Sequence, residues 1–252
     1  MSLPSPLGRG FAERIPLVLV LDTSDSMARP DGSPRIKELN VALSEWFANA
    51  AGDPALRERL EVAIVTFDSH VRVLRLTDTP EPSASAFALV ETVSPPELCA
   101  SGLTLMVPAI ETAVELATER TRELSAQGTP SRRPLVWLVT DGAPCDERGA
   151  PLPASEVTAA GQRLRDGGQA TADSPGYLFY AVGVGGADLA TLRALAPNSS
   201  MLLPDFPFRK ILRMASESAS KQRAGSVEDE YARTQDLVDR ARRISELEDQ
   251  IG

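Results

Sequence analysis

Apolar residues fall along this chain in short uninterrupted runs, separated by stretches in which they recur every three or four positions. Residues 15–21, Ile-Pro-Leu-Val-Leu-Val-Leu, form the first run. A strand without a polar face belongs in the middle of a parallel sheet that is covered on both sides. Runs at 61–67, 135–140 and 177–182 predict further strands, and Met201–Leu203 a last one. Between them, Ile36, Leu39, Val41, Leu43, Trp46 and Phe47 predict a helix to about Ala51, followed by a short helical turn at Asp53-Pro54. Val107, Ile110, Val114, Leu116, Ala117 and Leu124 predict a long amphipathic helix over 105–125. Pro108 is tolerated in its first turn, where no intrahelical N–H is needed. Helices are also expected at 83–92, 153–167, 188–195 and 206–221. Residues 71–76 alternate apolar with polar after a turn at Asp68-Ser69-His70, the pattern of a half-exposed edge strand paired by a hairpin. Strands alternating with helices give an α/β fold: a doubly wound, mostly parallel central sheet with one antiparallel edge strand and helices on both faces.

The two ends differ from the middle. Residues 1–13 are rich in Pro, Ser and Gly and read as a flexible lead-in to a domain covering 14–222. Ala224-Gly225-Ser226 breaks the helical pattern, and 226–252 is highly charged and helix-prone. Val227, Tyr231, Leu237, Ile244, Leu247 and Ile251 make an incomplete stripe there, which Arg240 interrupts. Two readings stand: a solvated terminal helix, or a helix that docks or self-associates.

A formal net charge of −9 argues against sequence-independent nucleic-acid binding and against docking on anionic membranes. No apolar run has transmembrane length, and the N-terminus lacks the apolar core of a signal peptide, so a cytoplasmic location is expected. Two cysteines are too few for a disulfide scaffold. Cys99 and Cys145 read as reduced thiols or, alternatively, as a redox-sensitive pair.

The chemistry lies at strand ends. The first strand runs straight into Asp22-Thr23-Ser24-Asp25-Ser26, and the run at 135–139 into Thr140-Asp141-Gly142. Open α/β sheets place ligands at such carboxyl ends. One carboxylate and two hydroxyls on a tight loop suit a hard cation. The competing reading is a polar turn in which Ser26 or Thr104 only caps a helix. That alternative is weaker for Asp22 and Asp141, because a carboxylate ending a buried strand is costly unless compensated. Asp68 reads as a turn residue.

Asp-x-Ser-x-Ser at 22–26, Ser101-Gly102-Leu103-Thr104 and Thr140-Asp141-Gly142 occur in the order and with roughly the spacing of a von Willebrand factor A domain. Over residues 14–205 the chain resembles that family, in which these loops form a metal-ion-dependent adhesion site. The resemblance implies that Asp22, Ser24, Ser26, Thr104 and Asp141 hold Mg²⁺ or Mn²⁺. It also implies an open position that takes an Asp or Glu carboxylate from a protein partner, with no catalysis. Two departures from the family pattern stand out. Asp25 replaces the usual Gly and could modulate the site, and Leu103 replaces the second Gly before Thr104. Asp tolerates a left-handed backbone, so the first turn survives the replacement.

The phrases ending at Asp22, Asp68 and Gly142 are most similar to the bacterial tellurium-resistance-type group. That likeness implies an intracellular scaffold or adaptor in a stress response, with a Ser/Thr kinase, a phosphatase or an AAA+ ATPase as candidate partner. The rival is a Mg²⁺-dependent phosphohydrolase with Asp22 as nucleophile. Such enzymes need a second Asp two residues on, where this chain has Ser24. His70, the single histidine, falls on the edge turn, away from a catalytic triad. Gly183-Val184-Gly185-Gly186 lacks full dinucleotide-loop spacing and reads as a tight strand-to-helix turn.

Overall fold

The computed structural model describes residues 12–76, 86–93, 95–171, 174–203, 207–222 and 226–251. The lead-in through residue 11, residues 83–85, Phe206, the break at Ala224-Gly225 and the side chains of Ile244, Leu247 and Ile251 lie outside that description. The strands are β1 (Ile15–Asp22), β2 (Leu60–Phe67), β3 (Val71–Val73), β4 (Ala88–Leu89), β5 (Leu135–Thr140), β6 (Leu178–Gly183) and β7 (Ser200–Leu202). The α-helices are α1 (Arg35–Gly52), α2 (Met106–Ala126), α3 (Ala154–Gly168), α4 (Leu189–Leu195), α5 (Phe208–Lys221) and α6 (Val227–Ile251).

The described strands form one sheet in the order β3-β2-β1-β5-β6-β7, with β4 off this path and paired to β2. The pairs β1–β2, β1–β5, β5–β6 and β6–β7 are parallel. Successive residues of β1 alternate between two cores, as the period of a strand requires. Leu17, Leu19 and Leu21 pack with Trp46, Phe47, Trp137 and Ile211 on the face covered by α1 and α5. Val18 and Val20 pack with Ile110, Ala113, Leu164 and Leu192 on the face covered by α2, α3 and α4. The expected doubly wound α/β architecture is what the chain adopts. Glu61, the charged residue of β2, is buried because Arg120 of α2 donates to both its carboxylate oxygens at 2.8 Å.

One element differs from expectation. Residues 88–92 are not a helix. Ala88–Leu89 pairs antiparallel with β2 opposite Glu61 and Val62, and Val90–Thr92 is a single 3₁₀ turn. The hairpin strand β3 pairs only with Val65–Phe67, which leaves the start of the β2 edge without partners. Unpaired backbone groups at a buried strand must be satisfied, and β4 does this. The antiparallel edge is therefore built from two short pieces.

The first half of α6 packs on its own domain. Val227 and Val238 enter the α1/α5 core, and Glu230 and Thr234 are also buried. Leu237, expected on the inner stripe, is only half-buried, and Val238 takes the inward position. The anchor is polar. Tyr231 packs edge-on against Tyr180 with ring centres 5.4 Å apart, and its hydroxyl accepts from the Phe179 N–H. The Tyr180 hydroxyl lies 2.9 Å from Thr234 Oγ1, which lies 3.0 Å from Ser218 Oγ. Burial pushes the Tyr180 hydroxyl well above its ordinary pKa, so it stays protonated. Among the described residues no helix is long and apolar enough to cross a membrane.

Candidate metal centre

Neighbouring strands β1 and β5 end side by side, so Asp22 and Thr140 meet. The Thr140 hydroxyl donates to Asp22 Oδ2 at 2.5 Å, and the Ser24 N–H donates to Asp22 Oδ1 at 2.9 Å. Asp22 has no exposed surface. Burial is the main cause that raises its pKa to about 6; bonds from Ser24 and Thr140 oppose the rise, and the Asp141 charge adds to it.

After Asp22 the chain makes a 3₁₀ turn over Asp25–Ala28. Ser24 flanks that turn without capping it; its Oγ lies 3.0 Å from Ser26 Oγ instead. The Ser26 hydroxyl donates to Asp141 Oδ1 at 2.5 Å. Among the described residues no non-glycine has positive φ, so the left-handed turn expected for Asp25 is not used. Asp25 has another task. Its N–H donates to the Gly102 carbonyl at 3.1 Å, and its Oδ1 accepts from the Gly102 N–H at 2.9 Å.

That clamp helps hold the Thr104 loop. The Ser101 N–H donates to the Thr23 carbonyl, the Leu103 N–H to Ser69 Oγ and the Leu105 N–H to the Asp68 carbonyl. Gly102 takes φ +76, and a Cβ there would lie 2.4 Å from Ser69 Oγ, so this turn needs glycine only once and Leu103 is accommodated. Thr104 does not cap α2: the helix starts after Leu105, with no side-chain capping bond. A Cβ on Gly142 would lie 3.3 Å from Thr104 Oγ1 and 3.6 Å from Asp22 Oδ2, so both oxygens face one spot. Asp25→Ala should cost about 1 kcal/mol of stability by deleting one hydrogen bond. It should also weaken cation binding through Thr104, whereas Asp25→Asn keeps the acceptor and stays near wild type. Thermal unfolding and a Mn²⁺ titration of both variants measure this; equal behaviour of Asn and Ala would show that charge matters and the clamp does not.

Cys145 touches the same loop. Its N–H donates to the Thr104 carbonyl at 3.1 Å, and its Sγ accepts from the Thr104 N–H at 3.2 Å. Cys145 is partly buried, Cys99 is exposed, and both are free thiols. Asp68 closes the β2–β3 turn by accepting from the His70 N–H at 2.8 Å and from Arg72 at 2.6 Å, while the His70 ring projects into solvent. The glycine-rich segment after β6 is a tight turn that ends when Asp188 caps α4, accepting from the Ala190 and Thr191 N–H groups.

Sequence reasoning missed two residues at this centre. Thr140 belongs to the quoted Thr-Asp-Gly phrase but not to the predicted ligands. Arg35 was not singled out at all. It starts α1, and its Nη1 donates to Asp141 Oδ2 at 2.9 Å. A Cβ on Gly185 would lie 2.4–2.5 Å from three guanidinium atoms, so the group rests directly on that glycine. The signal for Arg35 lies in two segments about 150 residues apart, and only the fold brings them together.

The donor set fits a hard cation. Among the described residues there is no cluster of three His, Cys, Asp or Glu side chains, so the donors are hydroxyls and two carboxylates. The protons of Ser26 and Thr140 point at carboxylates, so both hydroxyl oxygens act as acceptors toward their other neighbours, Thr140 Oγ1 taking the Gly142 N–H at 3.1 Å. Octahedral Mg²⁺ with bonds of about 2.0–2.1 Å has adjacent ligands about 3 Å apart. The two serine oxygens, at 3.0 Å, match that edge.

The sequence profile of the von Willebrand factor type A domain matches residues 17–217. No curated protein matches the chain. Proximal thread matrix protein 1 from the mussel byssus is similar in structure at 19% identity and a TM-score of 0.50, over 83% of this chain and 46% of that one. The pilus adhesin SpaC from Lactobacillus rhamnosus GG aligns at 13% identity and a TM-score of 0.56, over 82% and 30%. The vWF domain of the type V pili tip protein Mfa5 from Porphyromonas gingivalis aligns at 11% identity and a TM-score of 0.52, over 85% and 98%. The chain thus spans less than half the length of the first two.

Proposed function

Because the chain belongs to the von Willebrand factor type A domain family, we propose that it is a non-catalytic protein-binding module that depends on a divalent cation. The observation that carries this reading is the convergence of Ser24, Ser26 and Thr104 with Asp22 and Asp141 at the carboxyl edge of β1 and β5. Those five residues would hold Mg²⁺ or Mn²⁺, directly or through bound water, and Thr140 would orient Asp22. The cation would supply a Lewis-acidic position for a carboxylate of a protein partner. The protein's own contribution is to bury both carboxylates away from competing water.

The phosphohydrolase reading draws no support from this geometry. Ser24 stands where a second carboxylate is needed. We place the module as an intracellular adaptor, with a kinase, phosphatase or AAA+ ATPase as partner. That placement rests on the likeness of its strand phrases to the tellurium-resistance-type group; structural likeness below 20% identity bears only on the fold.

Thermal unfolding in EDTA and in excess Mg²⁺ or Mn²⁺ tests the site. A cation at ten times its Kd stabilises the native state by about 1.4 kcal/mol. That corresponds to about 3–6 °C for a domain of this size. A Ser24→Ala/Ser26→Ala double variant should lose the shift. No shift in wild type with either cation, or an equal shift in the variant, would overturn the proposal.

A further inference from the structure

Two carboxylates face the same spot at the end of the sheet, and among the described residues one of them has a cationic partner and the other has none. Asp141, whose side chain is 1% exposed, is paired to Arg35 at 2.9 Å. Among the described residues the partners of Asp22 are neutral: the Ser24 N–H and hydroxyl and the Thr140 hydroxyl. Arg35 is not a loose surface side chain. Its guanidinium lies on the bare backbone of Gly185, where any Cβ would collide with it, and its Nη1 also reaches the Arg29 carbonyl at 3.5 Å. The segment before α1 and the turn after β6 therefore hold a fixed positive charge against Asp141. Asp141 is filled on both sides, by Ser26 on Oδ1 and by Arg35 on Oδ2.

We propose that Arg35 is a positioning residue for the cation site: it holds Asp141 out of direct coordination, so that a divalent cation meets Asp22 as its one uncompensated carboxylate. This rests on the metal-dependent reading above and deepens it. With Arg35 in place, one dication, the Asp22 and Asp141 carboxylates and one guanidinium sum to +1, the Asp25 carboxylate being turned to the Gly102 N–H instead. A surplus of that sign selects an anionic group as the further ligand, and it keeps the affinity for the bare cation low until that group arrives. Without Arg35, Asp141 is a buried carboxylate lacking a countercharge, and the divalent cation is the group at hand that can supply one. Removing a positive side chain beside the site then tightens metal binding, the reverse of what deleting a site residue ordinarily does.

The experiment is an isothermal titration of the full chain with Mn²⁺ at low ionic strength, paired with thermal unfolding in EDTA and in excess Mn²⁺. The proteins are wild type, Arg35→Gln and Arg35→Lys. Arg35→Gln should bind Mn²⁺ at least tenfold more tightly. It should melt lower than wild type in EDTA and regain most of that loss in Mn²⁺, so its metal-induced shift is the larger one. Arg35→Lys keeps the charge but not the flat contact with Gly185, and should bind Mn²⁺ within about threefold of wild type. A merely structural role predicts a different order, in which Gln and Lys both bind more weakly than wild type. Wild-type binding with unchanged or weaker binding by Arg35→Gln overturns the role of Arg35 and leaves the metal site standing. Absence of Mn²⁺ binding by every protein, with all of them folded, overturns both.

Discussion

Asp22→Asn should raise the melting temperature of the metal-free protein at pH 7 and abolish its response to Mg²⁺. Burial raises the Asp22 pKa to about 6 in the folded chain, against about 3.9 for an unfolded Asp. The folded state thus holds its proton more tightly than the unfolded state does. Between about pH 4 and pH 6 the native state carries the extra proton, so stability falls as pH rises through that window. Above it, the ionised carboxylate costs about 2–3 kcal/mol relative to an unperturbed one.

Asn removes that cost without emptying the site. Its carbonyl can accept from the Ser24 N–H, and its amide can donate to Thr140 Oγ1. The melting temperature in EDTA should therefore rise by several degrees at pH 7, and the gain should vanish near pH 4. The same carboxylate is what a divalent cation needs, so the wild type should overtake the variant once Mg²⁺ is saturating. Melting curves at pH 4, 5.5 and 7, with and without Mg²⁺, measure both effects. A variant less stable than wild type in EDTA at pH 7 would mean that the Asp22 hydrogen bonds outweigh its desolvation.

Gly161→Ala should destabilise the protein by about 3 kcal/mol, although helix propensity alone predicts a gain of about 1 kcal/mol. Gly161 is buried in α3 where α4 crosses it. A Cβ there would lie 2.0 Å from the Ala194 carbonyl oxygen, 2.9 Å from its carbon and 3.0 Å from Leu195 Cα. These are backbone atoms, so no rotamer change relieves the clash, and α4 itself must shift. The loss corresponds to about 6–12 °C in melting temperature. Gly52→Ala, at the end of α1 with nothing within 4 Å of the added carbon, is the matched comparison and should be neutral or slightly stabilising. Urea denaturation of both variants gives the difference directly. Equal stabilities would show that α4 yields easily and that the α3–α4 crossing is not closely packed.

Much of this molecule was legible in the sequence because its signals are local. An apolar run such as 17–21 specifies a central parallel strand, and a stripe such as Ile110, Val114, Ala117 specifies a covering helix. A polar loop directly after such a run places Asp22, Ser24 and Ser26 on the ligand edge. The structure brings Thr104 and Asp141 to the same edge. Where sequence and structure part, the cause is always a partner distant along the chain. Residues 88–92 have a helical look, but the uncovered start of β2 draws Ala88–Leu89 into the sheet. Leu237 looked inward, but the polar anchor at Tyr180 and Ser218 sets the roll of α6 and turns Val238 in. Asp25 was expected in a left-handed turn and instead bonds Gly102 without one.

The sequence by itself determined the class of fold and which hydroxyls and carboxylates stand at the ends of the central strands, because strand period, helix period and strand-end chemistry are properties of neighbouring residues. Only the tertiary structure decided the charge of that edge. Arg35 and Asp141 are 106 residues apart and meet through the winding of the sheet, and an ion pair between distant residues leaves no periodicity to read. The same holds for Gly161, whose missing side chain makes sense only once α4 lies across it.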